Sequence, residues 1–360
     1  MSEIKPHWHC FCRVIDNFGD AGVALRFCRQ LSIWQPYPVT LFIDDPALIQ
    51  SLMDERDRLL FSVKAWSEID VLTGAAAYVI SLFGCNLPTR YIELAVKQFP
   101  HPQWINIEHL SAEDWIESFH LKPSPHPPLT EYFFYPGFTQ RSGGLIHDTP
   151  KEKKLSVNPS LLPTSTAPKT LKIFLFCYQN AATFSLLESL SVSTTLCDVY
   201  IPRDLPHAQE IIQWMNSQKQ SNSLTIHWLE RMAQSAFDQV MLSCDVLFVR
   251  GEDTWARAQL IGKPLIWQCY PQEENVHLTK LTAFLQRYTQ HFNSLSTKEC
   301  MVDFHNKWNQ GATIAHQDWE NLLYHLPVLQ QEAKTWQNLL LSQTDLIHQL
   351  LHFIEINNKI

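Results

Sequence analysis

No apolar run in this chain approaches the length of a membrane span, and no apolar signal segment with a small-residue cleavage site opens it. The expectation is a cytoplasmic protein with no membrane partner. Positive charge is also short: 28 Lys and Arg against 36 Asp and Glu give a formal net charge of −8. That argues against a nucleic-acid partner, which would call for a basic face, and is compatible with a basic protein partner, although net charge alone names none. The nine cysteines lack the paired spacing of a disulfide framework, which again points to a reducing compartment. Sixteen histidines are present, but no H-E-x-x-H or C-x-x-C run accompanies them, so no metal is assigned. There is no G-x-G-x-x-G, Gly19 and Gly22 being no dinucleotide fingerprint by themselves, and no G-x-S-x-G elbow.

What is present is an ordinary globular composition, 45% hydrophobic and 18% charged over 360 residues, a length that suits two domains. Strand and helix patterns alternate. Trp8 to Ile15 is an apolar run, followed by a helical pattern with Ala24, Phe27, Cys28 and Leu31 on one face. Val39–Ile43, Ala76–Leu82 and Trp104–Leu110 read as strands, with helices at Pro46–Leu52 and Thr89–Phe99. Such alternation predicts βαβ units and a parallel sheet. Lys122 to Pro128 reads as a loop, because successive prolines forbid helix and withhold donors from a sheet. Thr149 to Lys169 combines a charge run with Pro159, Pro163 and Pro168 and reads as an interdomain linker.

The alternation then restarts. Strands are expected at Leu171–Cys177, Leu196–Ile201, Leu224–Trp228, Val246–Val249 and Pro264–Trp267. Helices are expected at Thr183–Leu190, His207–Ser217, Ser235–Leu242 and Trp255–Ile261, the last ended by Gly262 at its C′ position. From about Val276 the chain looks mainly helical. The domains are therefore drawn at 1–150, 170–330 and a C-terminal helical segment 331–360 that packs back on the first, with 151–169 between. No short-period repeat is visible.

Two loops stand out as sites for chemistry. Asp16 and Asp20 lie in Val14-Ile15-Asp16-Asn17-Phe18-Gly19-Asp20-Ala21-Gly22, after the first strand, where open α/β sheets place their reactive groups. Carboxylates there suit a base or a grip on a cationic acceptor; equally, Asp20 is placed to cap its helix and Asp16 to stabilise a turn. Arg250-Gly251-Glu252-Asp253-Thr254 opens a helix after a buried strand, where amides and the positive helix end favour a phosphate. Capping by Asp253 or Thr254 is the plainer explanation taken alone. Other signals are weaker. Asp44-Asp45 resembles an acidic metal-binding pair, but a strand-ending turn accounts for it. Cys10 and Cys12 alternate onto one strand face as small buried hydrophobes. Phe133 to Phe138, followed by Gly143-Gly144, reads as a lid or, more simply, a buried aromatic strand. Phe176 and Tyr178 alternate along a strand, fit either to stack on a base or to pack in a core.

Four blocks together carry a resemblance: Phe11 to Gly22, Asn106 to Trp115, Phe133 to Leu145, and Phe248 to Thr254. In order and across nearly the whole chain, they resemble the bacterial protein-arginine rhamnosyltransferases that modify translation elongation factor P. The resemblance implies an α/β GT-B glycosyltransferase fold, two Rossmann-like domains facing a central cleft. It implies dTDP-β-L-rhamnose as co-substrate and one arginine of elongation factor P as acceptor. Transfer would proceed with inversion, without a metal or other cofactor, and would activate the factor to rescue ribosomes stalled at polyproline; a monomer is the default expectation for the oligomeric state. Residue by residue, Asp20 matches the family's general base and Asp16 its supporting carboxylate. Phe176, Tyr178, Gln234, Arg250, Glu252, Asp253 and Thr254 match the donor-binding positions. Asn17, Phe18, Gly19, Glu108 and His109 match acceptor or sugar contacts. The chain departs from the family at Gln179, at Thr254 where serine is usual, at Arg231-Met232-Ala233, and at His109 where tyrosine is common.

The chemistry suits the residues. A guanidinium is almost always protonated and a poor nucleophile. Two carboxylates grip it through paired hydrogen bonds and accept its proton as the new bond forms, while the helix-end turn stabilises a departing diphosphate. Two rivals remain. A GT-B enzyme with another acceptor would leave elongation factor P unmodified, and a non-catalytic binder of that factor or a nucleotide would consume no donor.

Overall fold

The computed structural model describes residues 6–15, 18–148, 162, 170–179, 182–217 and 223–357. The expected linker, 151–169, lies outside them apart from Leu162. Two compact units result, Met1–Leu155 with Leu340–Ile360, and Ser156–Leu339.

The first unit is built on β1 (Trp8–Cys12), whose five side chains are all buried. Helix α1 (Phe18–Trp34) follows and lays Ala21, Ala24, Leu25, Phe27, Cys28 and Leu31 against the sheet. Then come β2 (Val39–Ile43), α2 (Pro46–Leu52), α3 (Glu55–Leu60), β3 (Ser62–Ala65), β4 (Tyr78–Leu82), α4 (Thr89–Lys97), β5 (Gln103–Ile107), α5 (Ile116–Phe119), β6 (Pro123–His126) and β7 (Leu129–Phe134). The sheet runs β3-β2-β1-β4-β5-β7-β6, parallel except for β6 against β7.

Two strands differ from expectation. β3 is a short, half-exposed edge that carries no readable alternation. β6 lies within the stretch read as a loop. It is an edge strand paired on one side only, in a register that sets Pro123 opposite Tyr132 and Pro125 opposite Thr130. A strand with one partner tolerates prolines, since their missing N–H can face away from the ladder. Cys10 and Cys12 do share one face and pack in the same core as Trp8 and Cys28. The Phe133–Phe138 stretch begins as the end of β7 and buries Phe134 and Phe138.

The second unit has β8 (Leu171–Leu175), α6 (Ala182–Ser191), β9 (Cys197–Pro202), α7 (Ala208–Ser217), β10 (Leu224–Leu229), α8 (Gln234–Ser243), β11 (Val246–Arg250), α9 (Asp253–Ile261) and β12 (Leu265–Gln268). All pairings are parallel, in the order β10-β9-β8-β11-β12. Gly262 ends α9 in the left-handed conformation, φ 73°, as its C′ role requires. Helices α10 (Val276–Tyr288), α11 (Leu295–Asn309) and α12 (His316–Leu341) complete the second unit up to Leu339. The last helix, α13 (Leu346–Asn357), belongs to the first unit, where Leu346, Ile347, Leu350 and Ile354 join the core beside α1.

Candidate active site

In each sheet the chain returns to the opposite side of its first strand, between β1 and β4 in one and between β8 and β11 in the other. Such a switch point separates the two loops beyond it and opens a crevice at the carboxyl ends of the strands. Of the sequence-selected residues, Phe18 to Asp20 follow β1, Phe176 and Tyr178 follow β8, and Arg250 to Thr254 end β11 and open the next helix, all at these two points, while Glu108 and His109 follow β5 and Gln234 follows β10.

In the first unit, Asp16 and Asn17 lie outside the described residues. Phe18 and Gly19 form the start of α1, which places Asp20 inside the first turn rather than before the helix. Its side chain is buried, and Oδ2 accepts a 2.7 Å hydrogen bond from the Ile15 amide. The neighbouring Val14 amide donates to Asp44 Oδ1 at 2.9 Å. Two successive amides of the loop are thus held by two carboxylates, and the Trp66 indole donates to the Cys12 carbonyl at the strand end. Asp45 caps α2 by accepting from the Leu48 amide at 3.0 Å. Asp44 and Asp45 therefore serve the loop and a helix cap. Among the described residues, no three His, Cys, Asp or Glu side chains gather as a metal site.

The flanking β4 loop went unmarked in the sequence. Phe83 adopts φ 60° and Gly84 φ 63° directly after the strand. For a phenylalanine that conformation costs about 1–2 kcal/mol. It persists because the Phe83 amide donates to Ile107 O at 2.7 Å and the Gly84 amide to Asn106 Oδ1 at 3.1 Å. Asn106 Nδ2 in turn donates to Glu108 Oε1 at 2.8 Å, which fixes that carboxylate beside Gly84. The Phe83 ring stacks on the exposed His109 ring with centroids 4.5 Å apart and 15° between planes. Glu108 and His109 thus sit in one ordered cluster beside the switch point. Burial, with Glu108 and Glu131 nearby, raises the pKa of Tyr135. The Phe83-Gly84 pair ending an apolar run was the available signal, since a glycine there marks a turn.

In the second unit, Phe176 and Tyr178 follow β8, Arg250 ends β11, and Gly251 to Thr254 follow it. The structure draws them together. The Arg250 guanidinium lies 4.3 Å from the Phe176 ring centre and 4.6 Å from that of Tyr178, and Nη1 donates to the Cys177 carbonyl at 3.2 Å. Tyr178 is further fixed by its amide, which donates to Gln268 Oε1 at 2.7 Å, and by edge contact with Tyr270. Gln234 begins α8, and its Nε2 donates to Asp253 Oδ2 at 3.1 Å.

The capping explanation for this turn does not hold as expected. The N-cap position falls on Glu252, whose side chain makes no cap hydrogen bond, and the Thr254 hydroxyl donates to the Arg250 carbonyl at 2.5 Å. Gly251, φ 62°, makes the bend, and its carbonyl accepts from the Trp267 indole at 2.9 Å. Beneath the rings, burial pushes the Cys177 thiol up to about 11, against the Thr183 hydroxyl and Arg250, so it stays a neutral packing group. Burial likewise lowers the pKa of the adjoining His207.

A family model described as Elongation-Factor P (EF-P) rhamnosyltransferase EarP matches residues 8–355. A protein-arginine rhamnosyltransferase from Pseudomonas putida is 32% identical, covering 97% of this chain and 99% of the relative. One from Neisseria meningitidis is 31% identical, with 97% of each covered. A solved structure concerning EarP-mediated arginine glycosylation of translation elongation factor EF-P superposes with a TM-score of 0.69 at 26% identity, covering 98% of this chain and 99% of that one. The glycosyltransferase VinC in complex with dTDP, 9% identical with a TM-score of 0.53 and covering 98% of this chain and 100% of its own, shares the fold alone. Both α/β units are those of a GT-B glycosyltransferase, and with the family model matched from β1 to α13 the chain belongs to the EarP family of elongation factor P rhamnosyltransferases.

Proposed function

We propose that this enzyme transfers rhamnose from dTDP-β-L-rhamnose to one arginine of elongation factor P, with inversion and without a metal, in the cytoplasm. Asp20 is the general base and Asp16 the carboxylate that orients the guanidinium. Glu108 and His109 serve the acceptor side. Phe176 and Tyr178 receive the base of the donor, Gln234 and Asp253 act as a linked pair beside it, and Arg250, Glu252 and Thr254 shape the turn that takes the diphosphate. The observation that carries this reading is the setting of Asp20: a buried carboxylate at the carboxyl edge of a parallel sheet, held in place by a backbone amide.

The step balances simply. A guanidinium nitrogen attacks the anomeric carbon, one N–H proton passes to Asp20, and the C1–O electron pair leaves with dTDP. The product guanidinium keeps a single positive charge. One displacement inverts the carbon, so no sugar–enzyme intermediate is required. Incubation of the protein with dTDP-rhamnose and elongation factor P, read by intact and peptide mass, tests the proposal. A single deoxyhexose on one arginine supports it. Donor consumption with an unmodified factor points to another acceptor, and binding without donor consumption points to a non-catalytic role; either overturns it.

A further inference from the structure

Arg250 closes β11, directly before the turn that opens α9. Three consecutive residues after β8 hold its guanidinium, Phe176 and Tyr178 by their ring faces and Cys177 by its carbonyl. The backbone of Arg250 is fixed independently, by pairing with Gln268 in the sheet and by the Thr254 hydroxyl on its carbonyl. Any rearrangement here is therefore confined to the arginine side chain. A stacked guanidinium and a stacked nucleobase compete for the same ring faces.

We infer that Arg250 makes base stacking on Phe176 and Tyr178 conditional on a diphosphate, so that the site selects phosphorylated nucleosides and turns free nucleosides away. The inference rests on the reading of these two rings as the seat of the donor's base. A free nucleoside that displaces the guanidinium breaks two stacking contacts and the Cys177 hydrogen bond, and returns nothing to the displaced charge. A nucleoside diphosphate supplies the alternative partner. Phosphate oxygens accept charge-assisted, forked hydrogen bonds from a guanidinium, and these are stronger than its contacts with rings or a neutral carbonyl. The diphosphate then draws the side chain off the rings as the base goes onto them. One residue thus opposes the base when alone and favours the nucleotide when whole.

The two roles predict effects of opposite sign. Ligand-observed NMR titrations of thymidine and dTDP, on the full-length protein and on Arg250→Ala, read both. Arg250→Ala binds thymidine about fivefold more tightly than the unaltered protein, because the ring faces are uncovered. It binds dTDP about tenfold or more weakly, because the phosphates lose their partner. Saturating pyrophosphate tightens thymidine binding to the unaltered protein and has no such effect on Arg250→Ala, since coupling between two ligands is reciprocal and here runs through one side chain. Arg250→Lys keeps the charge and loses the planar stack, so it retains most dTDP affinity while gaining part of the thymidine affinity. Should Arg250→Ala bind thymidine no better than the unaltered protein, the inference is wrong. Should Phe176→Ala and Tyr178→Ala leave dTDP affinity unchanged, the rings are not the base site, and the underlying reading falls instead.

Discussion

Asp20 combines two duties in one side chain. It anchors the Ile15 amide, and it is the residue proposed to take the proton from the acceptor. Substitution separates these duties. Asparagine keeps an acceptor oxygen for Ile15 but binds no proton at that oxygen, so Asp20→Asn should lower kcat about a hundredfold or more with the fold intact. Alanine also removes the anchor and should cost a further ~1 kcal/mol of stability. Transfer kinetics together with urea midpoints for both variants check this. An Asp20→Asn enzyme turning over at the normal rate would remove Asp20 from the chemistry. Asp20 could be found in the sequence because a carboxylate after a first strand is conspicuous. Phe83 was marked only by the glycine after it, because its positive φ and its stacking on His109, just past β5, leave no pattern in residue types. The Arg250 contacts were hidden for a related reason: the ring pair and the arginine are far apart in the chain and meet only because β8 and β11 are neighbours.

At the level of elements, regular periodicity was legible and edges were not. Val39–Ile43 and Pro46–Leu52 coincide with β2 and α2, because an apolar run and a Pro at the first helical turn after Asp45 both act locally. β3 and β6 escaped because an edge strand is defined by its one neighbour rather than by its own alternation. Gly262 was legible for a physical reason that also makes it fragile. An added Cβ would meet Gln337 Oε1 at 2.6 Å, in a residue whose φ is 73°. Gln337 Nε2 donates to the Leu260 carbonyl at 2.5 Å, so making room would disturb that bond at the end of α9. Gly262→Ala should therefore cost about 2 kcal/mol, half from the left-handed backbone and half from the lost bond. A fall of several degrees in the thermal midpoint is expected, and an unchanged midpoint would mean that α12 yields freely at this contact.

At the level of the whole molecule, each unit keeps a histidine neutral by burial, and the two share a pH signature. In the first unit, the Ala76 amide donates to the Tyr91 hydroxyl, which also shares a 2.9 Å hydrogen bond with His9 Nδ1. Burial, with His7 and Lys64 adding to it, holds His9 down at about 3. In the second, His305 Nε2 accepts from the Trp267 amide at 3.1 Å while Nδ1 donates to the Met301 carbonyl at 2.9 Å. Both nitrogens are thus used in the neutral form, and burial lowers this group to about 4. The unfolded chain binds protons at both imidazoles near pH 6.5, while the native state does not until far lower. Their contribution is therefore complete above pH 6.5 and is lost as pH falls toward the native values. By pH 5 each histidine should have surrendered about 2 kcal/mol, in a range where most carboxylates have yet to titrate. Urea titrations between pH 7 and 5 should show the midpoint falling steadily in both units, and a midpoint that holds level or rises would show that these imidazoles are not the groups that govern acid stability.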